Sequence, residues 1–334
     1  MHDLRHHGDA EATPGLLDLA VNVRGAAPPD WLKGRLVRGL DALGAYPDQR
    51  VAVAAVCRRH QRPEVQVLLT AGAAEAFVLL ARVLRPRRAV CVHPGFTEPE
   101  AALRAAGHEV DRLVLAPPYV LDPAQVPDDA DLVVVGNPTN PTGVVHGRLA
   151  ELCRPGRTVV VDEAFADAVP GEPHSLAGRA DLPGLVVVRS LTKTWALAGL
   201  RVGYLLAAPD LVERLREAQP LWAVSTLGLI ALETCLGRGP VRAAEKEAAA
   251  IAEERTRLEE ALQALGVEVA SGSQAPYLLC RVPGRPDVRG QLRERGVAVR
   301  RGDTFPGLTP EHWRTAVRDD AATDALLEAL RAVL

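Results

Sequence analysis

The sequence predicts an α/β protein, a large domain on a mainly parallel, doubly wound sheet joined to a smaller α+β domain. From about residue 65 to 210, short β-branched runs alternate with longer Ala/Leu-rich stretches at helical spacing, the rhythm of strands and crossover helices. From Asp210 to Leu265 the chain turns helical, and beyond it short strands and a last helix read as a small mixed lobe. At 334 residues with 48% apolar side chains, there is material for a large core and a satellite. The division expected is 46–235 for the large domain, with 1–45 and 236–334 forming the small one.

Strands are expected at Val65 to Leu69, Ala89 to Val92, Leu132 to Val135, Thr158 to Val161, Leu185 to Val188 and Val202 to Leu206. Ala73 to Leu84 reads as the helix between the first two. In the smaller lobe, strands are read at Tyr277 to Arg281, Val297 to Arg300 and Thr315 to Val317, with a helix from Ala321 to Leu334.

Composition excludes several classes. A net charge of −3 leaves no basic footprint for nucleic acid and no polybasic face for a membrane. No run approaches the roughly 18 apolar residues of a membrane span, and the polar opening Met1-His2-Asp3-Leu4-Arg5-His6-His7 lacks the apolar core of a secretory signal. A soluble, cytoplasmic protein is therefore expected. Cys57, Cys91, Cys153, Cys235 and Cys280 are scattered and odd in number, which predicts free thiols and no metal site. Lysine occurs only at Lys33, Lys193 and Lys246, so an amine nucleophile has three candidates.

Ligands of open parallel sheets bind beyond the carboxyl ends of the strands, so polar residues just after apolar runs are the places to search. Ala71-Gly72-Ala73-Ala74-Glu75 opens a helix with small residues, whose free N–H groups suit a phosphate, although a tight turn alone needs the same residues. Gly136-Asn137-Pro138-Thr139-Asn140-Pro141-Thr142-Gly143 is a proline-locked loop presenting two amides. Asp162 ends an apolar strand; as more than a helix cap, it calls for a cationic partner such as a protonated ring nitrogen. Lys193, in Ser190-Leu191-Thr192-Lys193-Thr194-Trp195, has hydroxyl and apolar neighbours, whereas Lys33 and Lys246 sit among polar ones and read as solvated. A partly desolvated lysine has a lowered pKa and serves as a nucleophile.

The asparagine loop, the strand-end aspartate and the Ser-x-x-Lys with Arg201 eight residues beyond its lysine together resemble the fold-type-I pyridoxal-phosphate (PLP) enzymes, the class I/II aminotransferase superfamily. The resemblance covers essentially the whole chain. It implies the PLP-dependent transferase fold and pyridoxal 5'-phosphate as cofactor. By that likeness Lys193 carries the cofactor as a Schiff base and shuttles protons, while Asp162 pairs with the pyridine nitrogen. Asn140 would bond the phenolic oxygen, and Phe96 would stack on the ring. Gly72, Ala73 and Ala74 would hold the phosphate through N–H groups, with Ser190, Thr192 and Arg201 beside them. Arg314 matches an arginine that clamps a substrate carboxylate. Tyr46 matches a tyrosine that reaches the cofactor phosphate of the partner subunit, which implies a homodimer.

Within the superfamily the chain resembles the histidinol-phosphate aminotransferases and their relative, the cobalamin-pathway L-threonine-O-3-phosphate decarboxylase. His7-Gly8-Asp9 and Leu17-Asp18-Leu19-Ala20-Val21-Asn22-Val23 look like the decarboxylase's start, and Asn22 is placed with the substrate. Val297-Ala298-Val299-Arg300 followed by Thr304-Phe305-Pro306-Gly307-Leu308 resembles a late segment of both, and puts Arg300, with Arg301 beside it, at a substrate phosphate. Three departures stand out: Arg24 replaces an asparagine near the substrate mouth, Ala73 a phosphate-binding serine, and Phe165 a tyrosine. Phe is familiar in the decarboxylase branch. The expectation is thus a decarboxylase acting on a phosphorylated amino acid, with aminotransfer to 2-oxoglutarate as the alternative. A non-catalytic PLP-binding regulator is the alternative of another class, disfavoured because lysine, aspartate and both anion-binding arginines are present.

Overall fold

The computed structural model describes residues 3–334. Seven strands form the main sheet, in the spatial order Val67–Thr70, Gly203–Leu206, Leu185–Ser190, Thr158–Asp162, Leu132–Gly136, Ala89–His93 and Val110–Val114. The central strands are buried on both faces, as their unbroken valine runs require. Each buried valine, such as Val133, Val159 or Val187, contributes ~1.5–3 kcal/mol relative to exposure.

All six strands expected in this sheet are present, and the helix after the first is Ala73–Val83. One strand departs in direction: Gly203–Leu206 runs antiparallel to both neighbours. A parallel return needs a crossover of a dozen or more residues, usually a helix. Here the chain from Leu191 to Val202 holds no α-helix and stays at the sheet's carboxyl edge, so the strand comes straight back. Val110–Val114 is a further strand; its Asp111 and Arg112 hide the apolar signal but suit an exposed edge. Helices Asp30–Gly39, Arg50–His60 and Glu98–Ala105 are likewise additional to the elements read from sequence.

After the sheet come three helices, Pro209–Ala218, Thr226–Cys235 and Arg238–Ala264. A four-stranded antiparallel sheet follows, in the order Arg300–Arg301, His312–Ala316, Tyr277–Arg281 and Glu268–Val269. Leu17–Asp18 pairs in parallel with Val297–Ala298, and the helix Asp320–Arg331 closes the chain. Leu19, Leu258, Trp313 and Leu326 share one core, while Leu32 packs with the residues under the main sheet. We propose two lobes along the division 46–235 against 1–45 with 236–334, the helix Asp30–Gly39 riding on the larger.

Among the described residues no helix is long and apolar enough to cross a membrane. All five cysteines are free; Cys91, Cys235 and Cys280 are buried, Cys57 and Cys153 half-buried.

Candidate active site

The carboxyl ends of the parallel strands open on a cavity of about 480 Å³. Every candidate site residue except Gly72, Arg301 and Tyr46 lines it. Asp162 ends its strand there, buried, with one carboxylate oxygen accepting from the Ala164 N–H at 3.1 Å. Burial pushes this acid up to about 6, against the pull of the Ala164 N–H and the Lys193 charge. Lys193 stands on the loop after the adjacent strand, its Nζ 5.7 Å from the centre of the Phe165 ring. Burial, aided by the charges of Arg314 and Arg201, brings its amine down to about 8. Glu163, next to Asp162, is by contrast consumed structurally: it pairs with Arg189 at 2.9 Å and accepts from Ser175 at 2.6 Å.

The helix Ala73–Val83 starts at the cavity without a side-chain cap, so its first N–H groups are available. Gly72 precedes it at φ 80°, and a Cβ there would stand 2.8 Å from Arg201 Nη2. The turn and the arginine's approach both need glycine. Across from the helix, Ser190 Oγ donates to Thr192 Oγ1 at 2.6 Å, which leaves the Thr192 proton for a ligand. Helix terminus, hydroxyls and Arg201 together make an anion cradle.

The asparagine loop divides its labour. Asn137 is structural, its Oδ1 accepting from the His146 N–H at 2.8 Å. Asn140 lines the cavity, and its Oδ1 accepts from Arg314 Nη1 at 2.5 Å, leaving Nδ2 as a donor. His146 braces this loop: its Nδ1 accepts the Leu121 N–H at 3.2 Å, so the proton sits on Nε2 and is donated to Thr139 Oγ1 at 2.9 Å. A second proton would displace Leu121, and burial lowers His146 to about 4. Because the folded value lies below the unfolded 6.5, this stabilisation is complete above about pH 6.5 and is lost as the pH falls through about 4. Between pH 7 and 5 the wild type should therefore lose about 2 kcal/mol more unfolding free energy in urea than His146→Gln; equal losses would contradict the assignment.

Arg300 and Arg314 are partners opposite each other on neighbouring antiparallel strands, an arrangement that like charges oppose. They are only 2% and 4% exposed, and among the described residues neither forms a salt bridge. Arg300 donates to the carbonyls of Arg301 at 3.0 Å and His6 at 2.6 Å; Arg314 donates to Asn140 and the Ala20 carbonyl, and its Nε has no partner. Burial pushes Arg300 down to about 10; burial and the neighbouring Arg300 charge push Arg314 down to about 9. Two buried cations without an acid on a cavity wall are a place for an anion. Asn22 lies on the same wall, 5% exposed, with neither side-chain atom hydrogen-bonded. Buried amides without partners mark a missing ligand.

Arg301 turns to Asp303 and does not line the cavity. Arg24 also points elsewhere, to Glu247 at 2.6 Å and Glu254 at 2.9 Å, so it braces the long helix instead of shaping the substrate mouth. His7 and Asp9 line the cavity although the sequence showed them only as part of a likeness; His7 Nε2 lies 2.6 Å from Glu98 Oε1. Tyr46 is 75% exposed and stacks on Trp222, 4.1 Å between ring centres, away from its own chain's cavity. Among the described residues no group of three or more His, Cys, Asp or Glu is placed to hold a metal ion.

A half-buried amine with a lowered pKa, an acid without a cationic partner, a flat ring at Phe96 and an anion cradle at a helix terminus suit PLP. The family model for aminotransferase class I and II matches residues 37–330. The chain belongs to that family. Class I/II aminotransferases are PLP-dependent enzymes, and pyridoxal 5'-phosphate is the cofactor of this one. A histidinol-phosphate aminotransferase of Mycobacterium tuberculosis is 51% identical over 321 residues, covering 95% of this chain and 87% of its own. Threonine-phosphate decarboxylase of Salmonella typhimurium is 33% identical over 334 residues, covering 96% and 91%. Among solved class I/II structures, the histidinol-phosphate aminotransferase from Clostridium acetobutylicum superposes with a TM-score of 0.88 at 25% identity, over 95% of this chain and 99% of that one. Both branches are thus among the relatives, and they back the aminotransferase alternative better than the decarboxylase expectation. The decarboxylase expectation rested on Phe165 and a short N-terminal stretch, and neither encodes which bond to the substrate carbon lies across the ring plane.

Proposed function

We propose that this enzyme is an aminotransferase acting on a phosphorylated amine of the histidinol-phosphate type, with 2-oxoglutarate as amino acceptor. The observation that carries the reading is the adjacent, acid-free pair Arg300 and Arg314 in one cavity with Lys193 and Asp162. An amine bearing a phosphate and a keto acid bearing two carboxylates make the same demand: a reactive centre beside lysine and an anion held by guanidinium groups. PLP, when bound, supplies the electron sink for the bond broken at the amine-bearing carbon. Lys193 Nζ would hold the cofactor through its aldehyde carbon and, once displaced by the substrate amine, would be a free amine able to move the proton at the amine-bearing carbon. Asp162 would pair with the ring nitrogen, Asn140 Nδ2 would donate to the phenolic oxygen, and Phe96 would pack against the ring. The N–H groups of Ala73 and Ala74, with Ser190, Thr192 and Arg201, hold the cofactor phosphate, Gly72 giving them their turn. Arg314, Arg300 and Asn22 hold the substrate.

The decarboxylase remains the second reading because Phe165, packed edge-on against Tyr277 at 5.0 Å, brings no hydroxyl to the cavity. Incubating the PLP-loaded enzyme with histidinol phosphate and 2-oxoglutarate, or with threonine phosphate alone, separates them. Glutamate formation is the expected result; carbon dioxide release without a keto acid would overturn the reading, as would turnover of neither. Arg300→Ala should raise KM for the phosphorylated amine about 10–100-fold, the loss of one or two charge-assisted hydrogen bonds. An unchanged KM would remove Arg300 from the substrate site.

The proposal includes a homodimer in which Tyr46 of the partner subunit reaches the phosphate cradle. Its exposure, and its place outside the lining of its own chain's cavity, support this. Sedimentation velocity at micromolar concentration should give twice the 35.6 kDa chain mass. A cytoplasmic location, which suits five free thiols, belongs to the same proposal.

A further inference from the structure

Asp167 and Thr194 lie outside the cavity that holds Lys193, yet they meet: Thr194 Oγ1 donates to Asp167 Oδ2 at 2.7 Å. Asp167 belongs to the turn Ala166–Ala168, just beyond Asp162, and Thr194 directly follows Lys193. The bond therefore ties the loop leaving the Asp162 strand to the loop leaving the adjacent Leu185–Ser190 strand. From this geometry we infer that Asp167 is a positioning residue: acting through Thr194, it sets where the Lys193 amine stands relative to Asp162.

The Lys193 loop needs such a tie. A second cavity of about 470 Å³ lies behind it, lined by Asp167, Ser190, Leu191 and Trp195. Ser190 lines both cavities, so this stretch is a wall between them: Leu191, Trp195 and Leu197 are buried in the core, whereas Lys193 and Thr194 between them are only half-buried. Ala196 sits at φ 52°, a left-handed conformation that a residue with a Cβ keeps only when its surroundings impose it. Trp195 is anchored edge-on against Trp31 at 5.2 Å, and the Lys193 carbonyl accepts the Arg24 N–H at 2.9 Å. Neither contact refers the loop to Asp162; the Thr194–Asp167 bond does.

Asp167 is also an expensive residue to keep. Its Oδ1 is buried without a partner, and burial pushes its carboxyl up to about 6 against the charge of Arg189. Such a group costs stability unless its one good bond serves a purpose.

The inference rests on the proposed role of Lys193, and the test keeps the two apart. In the PLP-loaded enzyme, Asp167→Ala and Thr194→Val should lower kcat about 10–100-fold, the range that a misplacement near 1 Å commands, with KM within about threefold. Asp167→Asn and Thr194→Ser keep an acceptor and a donor and should restore kcat to within about threefold of wild type. Combining Asp167→Ala with Thr194→Val should cost no more than the worse single change, because one bond is lost either way. In cofactor-free protein, trinitrobenzenesulfonate labelling read by mass spectrometry at Lys193, with Lys33 and Lys246 as internal references, should change at least about threefold in Asp167→Ala and not in Asp167→Asn. A purely structural role would lower the melting temperature while leaving kcat and Lys193 labelling at wild-type values, which would overturn the inference. Should Asp167→Ala fail to fold, Thr194→Val against Thr194→Ser decides by the same readings. Borohydride fixation of PLP away from position 193 in the wild type would overturn the parent reading; fixation at 193 with wild-type kcat in all four single variants would overturn this one.

Discussion

Lys193→Ala should leave an enzyme that loses PLP on dialysis and turns over at least about 10²–10⁴-fold more slowly, the loss expected for its proton transfer alone. The covalent tether disappears with the same amine, which adds to that figure. The argument is electrostatic. Burial, with help from Arg314 and Arg201, holds the amine near pH 8 in the ligand-free state. At pH 7 roughly one amine in ten is then neutral and nucleophilic, against roughly one in three thousand for an ordinary lysine. Capture of the cofactor aldehyde by cofactor-free protein should therefore quicken with rising pH and level off just above about 8. Lys193→Arg keeps a cation but no usable nucleophile, so it should fail as badly as alanine. Stopped-flow absorbance follows the capture, and borohydride-fixed label should map to one of only three lysines. Activity above a tenth of wild type in Lys193→Ala would end the reading.

Lys193 was legible because its own loop follows an unbroken valine run and the other two lysines compete poorly: Lys33 is exposed and bonded to Asp30, and Lys246 is exposed between Glu245 and Glu247. The same holds for Asp162 and Asn140, which stand where apolar strands end, and strand ends are where an open sheet binds ligands. What the sequence hid depends on register and direction. Arg300 and Arg314 are fourteen positions apart, and only the antiparallel ladder shows that they face each other. Gly203–Leu206 reads as a strand by composition, but its direction follows from a connection that lacks a crossover helix. Arg24 looked like a substrate-mouth residue; it is drawn off by Glu247 and Glu254, more than 220 positions away in the chain. Val110–Val114 went unread because an edge strand tolerates charges that blur the period of two. Phe165 is silent in another way, since one ring cannot report which bond of a substrate faces the cofactor plane.

Asp162→Asn should separate function from stability in opposite directions. In the ligand-free protein this carboxyl is pushed up to about 6, chiefly by burial, from an ordinary 3.8. With the folded value above the unfolded one, the favourable, protonated form is fully present below about pH 3.8, and its advantage is lost as the pH rises through about 6. Above that, the folded protein carries an ionised acid in a buried site, at a cost of roughly 1–3 kcal/mol. Asparagine has the same shape and no charge. Cofactor-free Asp162→Asn should accordingly resist urea better than wild type at pH 8, by an amount that shrinks between pH 6 and 4. The loaded enzyme should show the reverse. A carboxylate opposite the ring nitrogen keeps a proton there, and an amide does not, so turnover should fall on the order of 10²–10³-fold, as when a preorganised electrostatic partner is removed. A group that weakens the empty protein and is indispensable to the working one is placed for its ligand. If the asparagine variant is instead less stable when empty and equally active when loaded, the carboxylate serves the turn at Ala164 and not the cofactor.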